Sequence, residues 1–320
     1  MARTTILILA MLLVPVAGWC AGSELRTPLL GYLVQEDPLE LRAISGIPGA
    51  AIRSEPLPLP EGLTRLRLAP GHGFALAERG DTDPGAVLML DGRGPLPLAP
   101  ISGALARADL VSFSPSGRSA ALYSASEQRL QVLIGLPDRA RVSLNEAGLE
   151  VVSLAVSDDG EVLLTCDKQG MVYAARAGEK QPVFRAEGLS GMIFLPNRTD
   201  ALVCDRIRGE VFLLGGFDGT AYSRLLASGL DGPGAVRAAS DGLSVLVAGR
   251  EGNRAWLIDV ATAAVRAFEL PASPVVFEPL RLPDAYLFAS PPGEPAWMLV
   301  KSGGETRSYF IPGIDGRDPQ

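Results

Sequence analysis

The chain has 320 residues, is 47% hydrophobic and carries a net charge of -7. That composition can bury a large core. It contains no Lys/Arg block, so nucleic acid is excluded as an expected partner, because phosphate contacts need a clustered basic surface. Moderate acidity of this kind is ordinary for a soluble protein and points to no particular ligand.

Met1-Ala2-Arg3 is a short basic start, and residues 6–16 are an apolar run too short to cross about 30 Å of hydrocarbon as a helix. Small residues at Val16-Ala17-Gly18 and Cys20-Ala21-Gly22 offer cleavage points. Residues 1–22 are therefore expected to be an export signal, placing the mature chain in the periplasm or outside the cell without a transmembrane segment. Cys20 follows Trp19, where a lipobox wants a small residue, so lipidation is not expected.

Three short strand-like segments come next, at 29–34, 39–44 and 50–57, and nothing before Leu29 makes a good inner strand. Each later unit reads as four strands, here A to D. Strand A runs into a turn such as Phe113-Ser114-Pro115-Ser116-Gly117, Val156-Ser157-Asp158-Asp159-Gly160 or Ala239-Ser240-Asp241-Gly242. Pro, Asp, Ser and Gly supply the φ values and side-chain hydrogen bonds such turns need. Strands B and C follow as apolar runs, for example Val162-Leu163-Leu164 and Val211-Phe212-Leu213, and strand D is more polar. Consecutive apolar positions suit a sheet covered on both faces.

A hairpin turn recurs at Gly46–Gly49, Asp91–Gly94, Leu136–Asp138, Ala177–Glu179, Phe217–Gly219, Ala261–Ala263 and Ser302–Gly304, in steps of 41–44 residues. Short strands at this period define the blades of a β-propeller. The expected fold is all-β: a seven-bladed propeller over residues 23–312 whose first blade is three-stranded, or completed by an irregular terminal segment, then a flexible tail at 313–320. The usual exchange of an outer strand between the termini is not available, so the seam between first and last blades is expected to be the weakest.

Phe113-Ser114-Pro115-Ser116-Gly117 before a strand B, and Trp256-Leu257-Ile258-Asp259-Val260-Ala261-Thr262 closing a strand C, resemble bacterial exported WD40-like or YVTN-type repeats. The resemblance covers most of residues 63–312 and implies a propeller, without implying an activity. The full WD40 signature, an early Gly-His and a late Trp-Asp, is absent.

Cys166 and Cys204 occupy matching positions of adjacent repeats, in Leu164-Thr165-Cys166-Asp167 and Leu202-Val203-Cys204-Asp205. Neighbouring blades stand about 10 Å apart, and a disulfide needs Cα atoms within about 7 Å. Two free, buried thiols are expected. His72 is the only histidine. It reads as a solvated turn residue, and a His-cluster metal site is excluded. Calcium-dependent lactonase propellers are the natural enzymatic comparison, but the three asparagines, Asn145, Asn197 and Asn253, all read as loop residues. No cofactor is expected. Arg79-Gly80-Asp81 and the sequon at Asn197 read as chance matches.

The B–C loops and D–A connections share one face, and Asp167, Asp205, Arg206 and Arg250 are placed there, nearest the channel mouth. The leading expectation is a non-catalytic, monomeric, exported propeller that binds a protein or other envelope component through this face. The alternative is a metal-dependent lactonase or hydrolase using Asp167 or Asp205 as channel carboxylates.

Overall fold

The computed structural model describes residues 27–80, 83–90, 95–250, 252–272, 276–289, 296–302 and 305–312. The export signal, Cys20, the tail, the turn Asp91–Gly94, Asp81 and the glycines of Ser302–Gly304 lie outside these residues. Within them the chain forms seven antiparallel sheets, one of three strands and six of four. This is the seven-bladed propeller expected, with the short blade first. No helix among the described residues is long and apolar enough to cross a membrane.

Blade 1 comprises Leu29–Gln35, Glu40–Ser45 and Ile52–Pro56. The inner strands A of blades 2 to 7 are Leu63–Leu68, Leu110–Phe113, Ser153–Val156, Leu189–Phe194, Pro233–Ala238 and Val276–Pro279. Their strands B are Phe74–Arg79, Ser119–Ser124, Val162–Cys166, Ala201–Asp205, Ser244–Gly249 and Ala285–Ala289. In blades 3 to 6 every strand B residue is buried. Each sheet is covered on both faces by its neighbours, which is why these runs do not alternate. The outer strand Arg141–Ala147 alternates between exposed and half-buried positions, as a rim strand should.

The core is a set of layers between blades rather than one mass. Cys166 packs in the layer holding Met192, Phe194 and Val203, whereas Cys204 packs in the next layer with Val236, Val245 and Val247. The sheet of blade 5 stands between them, and both thiols are free and buried, as expected. Burial pushes the Cys166 thiol up to about 11 and the Cys204 thiol to about 12.

The A–B turns are tied to one another by carboxylates. Asp158 of blade 4 accepts Ser116 N of blade 3 at 2.6 Å and Asn197 N of blade 5 at 3.0 Å. Asp284 of blade 7 accepts Ser240 N of blade 6 at 2.8 Å. Asp158 thus does more than shape its own turn. In the same turn Gly160 has φ +75°, and a Cβ there would lie 2.4 Å from Ile134 Cγ2. The turn therefore requires glycine for both reasons. Asn145, expected in a loop, lies within the outer strand of blade 3, which extends further than its polar sequence suggests.

Among the described residues blade 1 has no strand A, so the inner edge of Leu29–Gln35 has no partner strand there. Buried backbone groups must still be hydrogen-bonded. Two such groups, Leu30 O and Tyr32 N, point inward on that edge. Leu30 O accepts Arg281 N of blade 7 at 2.8 Å. Tyr32 N donates to His72 Nδ1 of blade 2 at 2.8 Å. Arg281 then reaches past blade 1, donating Nη2 to His72 O at 2.8 Å and to Leu90 O at 2.7 Å.

His72 is therefore not a solvated turn residue. It is 1% exposed and packs directly over Gly31, where an added Cβ would lie 2.7 Å from Nδ1. The Gly-rich turn Pro70–His72 gave it a polar context in sequence, but the turn folds inward to fill the gap left by the missing strand. Burial and the Arg281 charge lower its pKa to about 4. The seam between blades 1 and 7 is further closed by an apolar layer of Leu30, Ile44, Leu280, Leu287, Met298 and Ile311, and by Arg53 Nε donating to Pro312 O at 3.0 Å.

Candidate functional site

The antiparallel order places the B–C turns and D–A connections on one face of the ring. Asp167, Asp205, Arg206 and Arg250 all lie there, at the strand B exits of blades 4, 5 and 6. The two carboxylates and the two arginines are in different situations.

Asp205 is 0% exposed. A buried carboxylate must be fully hydrogen-bonded, since its desolvation is costly. Its Oδ2 accepts Glu187 N at 2.7 Å, and its Oδ1 accepts Gly188 N, Ile207 N and Arg208 N at 3.1, 3.1 and 3.2 Å. One side chain thus clamps the D–A connection entering blade 5 to the B–C turn leaving it. Gly209 completes that turn at φ +65°, and a Cβ there would lie 2.5 Å from Leu230 O. The clamp holds Arg206, Ile207 and Arg208 outward. Ile207 is 62% exposed at the tip, its inner side resting on Gly188. Arg208 also pairs with Glu187 at 3.1 Å.

Asp167 performs a lesser version of the same task. Its Oδ1 accepts Gln169 N and Met171 N, both at 2.9 Å, an Asx-type closure of its own turn. Arg250 is exposed, and its backbone N–H donates to Gly232 O at 2.9 Å. Glu78, at the strand B exit of blade 2, is turned inward: it accepts Ala108 N at 2.9 Å and lies 3.6 Å from Arg65. Among the described residues, no three His, Cys, Asp or Glu side chains cluster in a way that could hold a metal. The oxygens of Asp205 in particular are already engaged by backbone donors.

The opposite mouth, ringed by the A–B turns, opens into a cavity of about 510 Å³. Residues two before each A–B turn begins occupy equivalent register positions: Arg67, Ser112, Ala155, Ile193, Arg237 and Glu278. All but Ala155 line the cavity. Burial lowers the Arg237 pKa, with Glu278 opposing, and burial raises the Glu278 carboxyl, with Arg237 and Arg67 opposing. Sequence reasoning placed no site here. The signal was available in the repeat alignment, as three charges, Arg67, Arg237 and Glu278, at an inner-strand position filled by Ser, Ala or Ile in the other three blades.

No protein-family model matches this chain, and no curated protein matches it in sequence. Solved structures do resemble it. A functionally unknown protein from Desulfotomaculum acetoxidans is 13% identical, with 90% of this chain and 96% of that one covered and a TM-score of 0.61. A putative 6-phosphogluconolactonase from Bacteroides fragilis is 14% identical over 88% of this chain and 94% of its own, with a TM-score of 0.59. The WD40 repeats of RRP9 are 12% identical over 81% and 83%, with a TM-score of 0.58. At these identities the likeness establishes the propeller fold and nothing finer. The fold is shared by a putative lactonase and by WD40 repeats, so it does not choose between catalysis and binding.

Proposed function

We propose that this chain is an exported bacterial propeller of the WD40-like, YVTN-type kind, acting in the periplasm or outside the cell. It binds a protein or protein-like envelope component through its B–C loop face and performs no chemistry there. The observation that carries this reading is the Asp205 clamp. The carboxylate best placed for general acid/base work or metal binding is committed to four backbone N–H groups, which leaves little capacity for either role. What the clamp presents is a rigid tip of Arg206-Ile207-Arg208, with Arg250 on the next blade.

An exposed isoleucine held between arginines suits an interface core with a basic rim, and arginine is enriched at such surfaces. The complementary partner surface is an apolar spot flanked by carboxylates. Fixed loops on a rigid ring also lower the entropy cost of association.

The test is affinity capture from envelope extract with the mature chain, its Ile207→Asp variant and its Arg206→Glu variant. Retention of a stoichiometric partner by the parent, lost in both variants, supports the reading. Equal retention by all three rejects it.

A further inference from the structure

We propose that the cavity at the A–B mouth is a binding site for a small zwitterion, an amino acid with an apolar side chain. Its carboxylate pairs with Arg237 and its ammonium group with Glu278. The site lies on the face opposite the loop tip and stands or falls independently of it.

Arg237 and Glu278 hold the same position on the inner strands of neighbouring blades 6 and 7, so a cation and an anion stand side by side at one depth of the channel. They do not satisfy each other, since no ion pair within 4.0 Å joins them. Among the described residues, the Arg237 side chain makes a single hydrogen bond, from Nη1 to its neighbour's carbonyl, Val236 O, at 2.8 Å. Among the described residues, the Glu278 carboxylate accepts no hydrogen bond.

Other charged groups at this mouth are engaged. Arg67 pairs with Glu36, Arg281 holds His72 O and Leu90 O, and Asp284 holds Ser240 N and lies 3.7 Å from Lys301 Nζ. Arg237 and Glu278 are thus half-buried charges with unused capacity facing one cavity. Partial desolvation without full pairing is unfavourable, and a ligand that supplies both counter-charges relieves it.

The pairing also selects the ligand. A simple anion on Arg237 meets the Glu278 carboxylate alongside, and a simple cation on Glu278 meets the guanidinium. A molecule carrying both charged groups on one carbon, as an α-amino acid does, suits both. Phe113, Met192 and Ile193, from blades 3 and 5, supply an apolar wall for the rest of it. The volume, about 510 Å³, lies within the range of small-molecule sites.

The experiment is calorimetric titration of the mature chain with leucine and phenylalanine, and with N-acetyl-leucine and leucinamide, each lacking one charge. Saturable binding of the free amino acids, at least about tenfold tighter than either blocked analogue, is expected. Glu278→Gln should erase the preference for leucine over N-acetyl-leucine, and Arg237→Gln the preference over leucinamide, with circular dichroism confirming that each variant is folded. Two results would overturn the proposal: no saturable binding by any free amino acid, or blocked analogues that bind the parent as well as leucine. Should Arg237→Gln fail to fold, the Glu278→Gln comparison decides alone.

Discussion

His72 substitutes for a strand, and replacing it tests how this ring closes. His72→Ala removes the acceptor for Tyr32 N, and an unpaired buried N–H costs about 1–3 kcal/mol. It also empties the space over Gly31 and takes a packing surface from Leu280, adding a cavity cost of similar order. A loss of about 3 kcal/mol is expected, read as a fall in the urea midpoint near neutral pH.

The same residue gives the fold a pH dependence. Its folded pKa of about 4 lies below the ordinary value of 6.5, so the folded state refuses a proton that the unfolded chain accepts. Between these values the unfolded state binds more protons, and stability therefore falls as pH falls. The His72 contribution is complete above about pH 6.5 and gone below about pH 4, amounting to about 3 kcal/mol to order of magnitude. His72→Asn isolates it. Asparagine offers Oδ1 where Nδ1 stood, tolerates the residue's φ of 52°, and does not titrate. The difference in unfolding free energy between parent and His72→Asn should shift by about 2–3 kcal/mol between pH 7 and about pH 4.5, against the parent at the lower pH. An unchanged difference, or a His72→Ala midpoint equal to the parent's, would refute the closure argument.

Two further outcomes follow from the same geometry. Asp205→Ala strands four backbone donors and should cost at least about 3 kcal/mol by urea denaturation, whereas Asp167→Ala, with two bonds in a surface turn, should cost about 1 kcal/mol. Equal losses would contradict the distinction between clamp and turn. Cys166 and Cys204 should resist a thiol reagent at pH 8 in the native protein and react fully in denaturant, because burial keeps both as thiols. Rapid native labelling of Cys204 would mean that blade 5 opens.

The blades were legible in the sequence because each repeat carries its own turn chemistry. Phe113-Ser114-Pro115-Ser116-Gly117 and its counterparts announce a strand A–B turn wherever they occur. The short first blade was legible too, since nothing before Leu29 makes a good inner strand. What replaces that strand was not. His72 and Arg281 are 209 residues apart, and only ring closure brings them together. A histidine flanked by glycines carries no local mark of burial. The loop-face residues were placed on their face by repeat position alone. The division of labour among them depends on the Glu187–Gly188 backbone, which no side-chain pattern encodes. The cavity pair Arg237 and Glu278 escaped because single charges in apolar strands look like rim residues until strand order puts them at the channel.

The measurement that bears most directly on the loop-face account is hydrogen–deuterium exchange of the parent with and without its captured partner. Protection confined to the B–C turns of blades 4 to 6, with its maximum at residues 206–209, is the predicted result. Protection centred on the A–B turns or the outer strands, with 206–209 exchanging as in the free protein, would contradict it.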